Sequence, residues 1–188
     1  RFRNRLYVAD ISEVVVIDIE KRKIEKKIPI AGAQGLNDIT VDNKGVVYVS
    51  DSKTNKIHRI VNDVATVYME NKTGVNGLKS IGDDLYILNG KYFEKADADK
   101  HITQITELTG GGDGLEPVGN GDFIVTIWSG YIYYVYANGK TELLLDTHLD
   151  KKNTADIGYD PAKRILYVPT FNGKTVVAYQ LKSNMAGK

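Results

Sequence analysis

The sequence contains no cysteine. This absence excludes a disulfide framework, a thiol nucleophile and a thiolate-bound metal, and it fits the cytosol and an oxidising compartment equally well. Proline is also scarce, with 4 residues against 18 glycines, which excludes collagen-like and proline-rich chains. No apolar run is long enough to cross a bilayer as a helix, so we predict no membrane span.

The sequence also lacks an excess of positive or negative charge. The chain has 25 Lys and Arg against 24 Asp and Glu, for a net charge of +1. This balance gives no reason to expect nucleic acid or an anionic membrane as a partner. Helical patterning is also absent, because no segment keeps an apolar stripe with a period of 3.6 residues. The sequence therefore predicts an all-β protein, and we expect no nucleic acid partner and no membrane span.

What the sequence does contain is a repeat. Four similar segments each start an apolar strand and are followed by a second strand: Gly35–Ile39, Gly74–Leu78, Gly112–Leu115 and Thr154–Ile157. Self-similarity at about 40 residues, with only strands inside each unit, is typical of a β-propeller blade. We therefore predict a β-propeller of four-stranded blades.

The repeat also predicts the organisation of the chain. We expect one propeller domain over residues 1–188, with blades at about 1–33, 34–72, 73–110, 111–150 and 151–182. Leu6–Asp10 matches a second strand, so the first blade is expected to lack its inner strand, and the last is expected to end after three. This pattern predicts a six-bladed parent protein, of which about five blades are present and the N-terminal part is missing. Open blade edges of this kind predict a homo-oligomer.

The third blade is expected to differ from the others in one respect. Its first two strands are followed by the polar segment Lys91–Lys100, which we interpret as an exposed insertion between the second and third strands.

Polar residues recur at the start of the inner strands. Asn37, Asn76 and Asp113 occupy matched positions in three successive repeats. Amide and carboxylate oxygens are the ligands that Ca²⁺ prefers, so these residues form a candidate metal or polar ligand site. The alternative is that they satisfy backbone groups where strands begin. The residues alone leave both interpretations open.

The segments that carry these residues resemble a known family. Leu36–Gly45, Val75–Leu78 and Gly112–Leu115 are similar to the gluconolactonase, regucalcin and senescence-marker-protein family of six-bladed, calcium-dependent propellers. The resemblance implies that Asn37, Asn76 and Asp113 bind a divalent metal, Ca²⁺ first among the options. It also implies that Asp113 is the catalytic base in hydrolysis of a lactone or related ester.

Two features of the family have no counterpart in this chain, namely its fourth metal ligand, a Glu in the first blade, and its substrate-binding Arg. The sequence is most similar to bacterial members that are periplasmic or secreted. The cysteine-free composition fits a cytoplasmic location as well.

Three further residues are expected to contact a small-molecule substrate. Glu116 and Asp156 lie close to the inner-strand starts, where they could act as a secondary base or accept hydrogen bonds from substrate hydroxyl groups. Trp128 ends a second strand and is placed to stack on a sugar-like ligand. Because propellers host many functions, the alternative is a non-catalytic module that recognises a protein, a glycan or a small ligand.

Overall fold

The computed structural model describes residues 1–182 and consists of antiparallel β-sheets, with one short 3₁₀ turn at Phe171–Gly173. The sheets follow one another along the chain as five blades, so the predicted all-β propeller fold is confirmed. The chain divides into two compact units, Arg1–Gly112 and Asp113–Lys188. None of the described helices is long and apolar enough to cross a membrane.

Unit 1 contains three blades. The first has three strands: β1 (Arg5–Asp10), β2 (Glu13–Asp18) and β3 (Lys23–Pro29). The second has four: β4 (Leu36–Val41), β5 (Val47–Asp51), β6 (Lys56–Val61) and β7 (Val64–Met69). The third also has four: β8 (Val75–Ile81), β9 (Asp84–Asn89), β10 (Tyr92–Ala96) and β11 (Ile102–Glu107).

Unit 2 contains two blades, the first of which begins at the boundary residue Gly112. Its four strands are β12 (Gly112–Gly119), β13 (Asp122–Ile127), β14 (Tyr131–Val135) and β15 (Thr141–Asp146). The last blade has three described strands: β16 (Gly158–Asp160), β17 (Ile165–Pro169) and β18 (Val176–Gln180).

Alternating side chains and turn residues explain the strands. In β2, Val14 and Val16 are fully buried while the residues between them are only partly buried, as the period of two requires. Asn62 and Asp63 join β6 to β7 with φ angles of 49° and 66°. Positive φ at both central residues defines a type I′ turn, which Asn and Asp tolerate better than other residues with a side chain.

The position of β1 within its blade can be read from hydrogen bonds in unit 1. The backbone N–H of Leu36, which begins β4, donates to the carbonyl of Ile11, just after β1, at 2.9 Å. In the same way, Gly112 donates to the carbonyl of Gly90, just after β9, at 2.9 Å. Since β9 is the second strand of its blade, β1 also occupies a second-strand position.

The predicted insertion at Lys91–Lys100 is wrong. Residues Tyr92–Ala96 form the regular strand β10, which pairs with β9 and β11. The next residues make its hairpin turn, where one carboxylate oxygen of Asp97 accepts the backbone N–H groups of Asp99 at 2.9 Å and His101 at 2.8 Å. The charged side chains made this strand look like a loop, although Glu94 is buried.

Candidate functional site

In unit 1, the repeat places Asn37 and Asn76 at equivalent positions. Each is the second residue of an inner strand, and each lies where the register against the second strand shifts, between Leu36 and Ile39 and between Val75 and Leu78. Asn37 is exposed and donates its side-chain amide to the hydroxyl of Ser52 at 3.2 Å, whereas Asn76 is partly buried. The two amides therefore share one end of unit 1.

Asp38, the neighbour of Asn37, has a structural role. One of its carboxylate oxygens accepts the backbone N–H of Leu78 in β8 at 2.6 Å, and the other accepts that of Ile39 at 2.7 Å. The backbone N–H of Asp38 in turn donates to the hydroxyl of Ser50 at 3.0 Å. These bonds join the inner strands β4 and β8, so this carboxylate stabilises the fold.

In unit 2, Asp113 occupies the corresponding position on β12 and is 7% exposed. The next residue, Gly114, donates its N–H to the hydroxyl of Thr126 at 2.7 Å, which repeats the bond between Asp38 and Ser50. A Cβ on Gly114 would lie 2.8 Å from the backbone nitrogen of Ile157, so only glycine fits. This close approach holds the start of β12 beside the segment that leads into β16.

Asp156 and Glu116 differ in environment. Asp156 is accessible to solvent and lies just before β16, yet the surrounding protein removes enough of its hydration to raise the pKa of its carboxyl group. Glu116 lies partly buried on β12. The environment of Asp156 therefore favours accepting a proton.

Trp128 lies beside an aromatic residue that the sequence did not single out. Its indole is 44% exposed, and the ring of Phe171, which is 64% exposed, meets it edge to face with 5.8 Å between ring centroids. The amide of Asn153 donates to the carbonyl of Trp128 at 3.0 Å and accepts the N–H of Asn172 at 3.3 Å. Residues far apart in sequence make these contacts, so no local pattern could reveal them.

Four side chains lie at one end of unit 2, namely Asp113, Trp128, Asp156 and Phe171. In an antiparallel blade, the start of the first strand and the end of the second lie at the same end. Asp113 begins the inner strand of one blade and Trp128 follows its second strand. Asp156 and Phe171 hold the same two positions in the next blade, and the hydrogen bonds of Asn153 join the two loops. The structure thus gathers three of the six predicted site residues at this end.

The predicted metal ligands belong to both compact units. Asn37 and Asn76 lie in unit 1 and Asp113 lies in unit 2. Their amide and carboxylate oxygens suit a hard cation, and the bond of Asn37 to Ser52 uses its nitrogen rather than its oxygen. Over residues 1–182, no group of three or more His, Cys, Asp or Glu side chains gathers in a way that could hold a metal. The calcium site stays a prediction.

Comparisons with known proteins support the fold. No protein-family model matches the sequence, and a search of curated proteins found no match. Among solved structures, a virginiamycin B lyase from Staphylococcus aureus superposes with a TM-score of 0.73 at 13% identity, covering 99% of this chain and 70% of the lyase. A chain of a nidogen/laminin complex gives a TM-score of 0.80 at 15% identity, covering 95% of this chain and 72% of that one.

A streptogramin B lyase gives a TM-score of 0.63 at 20% identity, covering 81% of this chain and 56% of that one. At these identities the likeness extends to the fold alone.

Proposed function

We propose that the chain is a hydrolase of a lactone or related ester and that the substrate binds at the end of unit 2. The observation that carries this proposal is Asp156, an accessible carboxylate with a raised pKa at the same end as Asp113 and the exposed Trp128. A carboxylate whose pKa is raised is a better proton acceptor near neutral pH. Two lyases share the fold, so the fold is compatible with an enzyme.

The reaction needs one water molecule and one base. As the oxygen of water attacks the carbonyl carbon, Asp156 takes a proton from that water. The bond between this carbon and the ester oxygen then breaks, and Asp156 returns the proton to the leaving alkoxide. The products are an acid and an alcohol, or one hydroxy acid from a lactone. The resemblance assigns the base to Asp113; we favour Asp156 because it is exposed to solvent whereas Asp113 is 7% exposed, and Glu116 remains a candidate for contacting substrate hydroxyl groups.

Calcium remains part of this proposal. Asn37, Asn76 and Asp113 are the residues that would hold it, and a bound cation would polarise the ester carbonyl.

Calorimetric titration with Ca²⁺ tests the metal directly. We expect binding that disappears when Asn76→Ala and Asp113→Ala are combined. If the double variant releases the same binding heat as the wild-type protein, Ca²⁺ binds to other residues. If the wild-type protein shows no binding heat, calcium is removed from the proposal.

The role of Asp156 is tested by Asp156→Asn. We expect kcat/KM for lactones and esters to fall by about 10²–10⁴-fold, since the variant cannot accept a proton. In the wild-type protein, activity should fall as the pH drops through the raised pKa, because protonation removes the base. Asp150→Asn, an exposed carboxylate on the same loop, is the control and should keep full activity. Equal rates in both variants would contradict the assignment.

The second candidate function is recognition without turnover. The likeness to a chain of a nidogen/laminin complex favours it, since that propeller occurs in a protein complex. Saturable binding of lactones without product release would support this alternative.

We further propose that the protein is periplasmic or secreted, which fractionation of the source cells would test, and that it self-associates through an open blade edge.

A further inference from the structure

The aromatic pair formed by Trp128 and Phe171 is unusual in its exposure. Exposed large apolar side chains are common singly, but these two rings meet each other on two different loops and leave 44% and 64% of their residues open to solvent. Both loops lie at the end of unit 2 that carries Asp113 and Asp156. The pair is therefore an apolar surface beside the candidate catalytic carboxylates.

The backbone at Phe171 shows that its ring is held there at an energetic cost. Its φ angle is 45°, in the left-handed region that residues with a Cβ rarely adopt. The turn is held by Thr170, whose hydroxyl lies 3.0 Å from the carbonyl of Thr175 and whose own carbonyl accepts the N–H of Gly173 at 2.9 Å.

Asn153 holds both aromatic loops in place. It is 7% exposed, and the two ends of its side-chain amide bind the backbone of the Trp128 loop and of the Phe171 loop. A buried amide that fixes two loops at once orders the rings before any ligand arrives. Preorganisation of this kind favours binding because less freedom is lost on association.

The polar side chains that support the pair are already engaged. The hydroxyl of Thr154 lies 2.7 Å from the carbonyl of Ile127 and 3.0 Å from that of Tyr131. Asn153 and Thr170 likewise bond to backbone groups. A polyhydroxylated ring needs side chains that can exchange hydrogen bonds with its hydroxyl groups, whereas a flat hydrocarbon ring needs only contact area. The pair itself therefore offers contact area rather than hydrogen bonds, which suits an aromatic ring.

We propose that Trp128 and Phe171 bind the aryl group of an aryl-substituted lactone or ester. This inference rests on the proposed function for the ester part of the ligand, but the aryl-binding step stands on the aromatic pair itself. It changes the expectation for Trp128 from stacking on a sugar-like ligand to holding an aromatic one.

The chain has a single tryptophan, so its tryptophan emission reports on Trp128 alone. The protein is titrated with γ-phenyl-γ-butyrolactone and, in parallel, with γ-butyrolactone, which lacks only the phenyl ring. We expect a saturable change in tryptophan emission with the phenyl compound and none with the parent lactone at the same concentrations.

Phe171→Asn tests the second ring. Asn tolerates the left-handed backbone, so the turn is kept while the aromatic ring is removed. We expect affinity for the phenyl lactone to fall by about three- to tenfold, the usual worth of an aromatic pair. Leu143→Asn removes another exposed apolar side chain, on β15, and should bind as the wild-type protein does.

The outcomes separate this inference from the proposed function. Equal affinity for the two lactones, no emission change with either, or unchanged binding by Phe171→Asn would overturn the aryl site. Hydrolysis of both lactones at equal rates without an emission change would keep the hydrolase and overturn the aryl site. Saturable binding of the phenyl lactone without hydrolysis would keep the aryl site and overturn the hydrolase.

Discussion

His58 on β6 is a buried histidine outside the candidate site. It is 2% exposed, and its Nε2 has no hydrogen-bond partner among residues 1–182. Burial lowers the pKa of the imidazole, and the charge of Lys56 lowers it further. The carboxylate of Asp51, with an oxygen 4.0 Å from Nε2, opposes this shift. In Asp51 itself, burial raises the pKa, but hydrogen bonds led by the N–H of Gln34 outweigh it and keep the carboxylate charged.

These pKa shifts predict how the stability of unit 1 depends on pH. Because the pKa of His58 is lower in the folded protein, the unfolded chain binds more protons below about pH 6.5, so the free energy of unfolding falls as the pH falls. The loss is at most about 1.4 kcal/mol per pH unit for one group. Urea denaturation across this range should show this slope in the wild-type protein and a shallower one in His58→Gln.

His101→Gln is the comparison at an exposed histidine, whose Nδ1 lies 3.1 Å from a carboxylate oxygen of Asp97. Any change that it makes to the slope should be smaller, because an exposed charge pair is screened by solvent. If the profiles of His58→Gln and the wild-type protein run parallel, His58 does not control the acid response.

At the scale of a single element, β10 depends on an ion pair with the loop between β7 and β8. The ammonium group of Lys72 lies 2.7 Å from one carboxylate oxygen of Glu94, and both side chains are nearly buried, at 12% and 11% exposure. Asn89 donates its amide to the other oxygen at 3.1 Å. A charged side chain can therefore occupy the buried face of this strand.

Removing one partner should be far more harmful than removing both. We expect Lys72→Met to lower the free energy of unfolding by about 3–5 kcal/mol, since it leaves the carboxylate of Glu94 buried without its counter-charge. Adding Glu94→Leu should recover most of that loss. Chemical denaturation of the two single variants and the double variant measures the coupling.

The same blade supplies an exposed control pair. Lys91 and Glu107 lie 2.6 Å apart with side chains 49% and 52% exposed. Lys91→Met should change stability by no more than about 1 kcal/mol. Equal losses in Lys72→Met and Lys91→Met would show that burial does not strengthen the first pair.

This ion pair also explains which parts of the fold could be predicted. Strands such as β2 follow from alternating apolar residues, which is a local signal. Tyr92–Ala96 was misread because the burial of Glu94 depends on Lys72, which lies outside the strand. At the candidate site, Asp113 and Asp156 could be found from the repeat. Asn153 and Phe171 could not, because their roles depend on contacts between separate loops.

At the scale of the whole molecule, the outer strands of the blades differ in how well their edges are protected. β18 pairs only with β17 within the described part of the chain, and the pair has a continuous register. Its sequence, Val176–Gln180, carries neither charge nor proline. By contrast, the outer strand β3 of the first blade contains three lysines, a proline and a shift in register against β2. Natural proteins protect edges with such features, so β18 is more open to pairing than β3.

We expect two copies of the chain to associate through antiparallel pairing of β18 with β18. A two-fold axis through the middle of the strand would then place Ala178 opposite Ala178. In Ala178→Lys two like charges would face each other, which should weaken the dimer by about tenfold. Leu143→Lys places the same charge on the exposed face of β15 and should not affect association. Sedimentation velocity over a range of concentrations decides the matter, since a wild-type protein that stays monomeric throughout would contradict pairing at this edge.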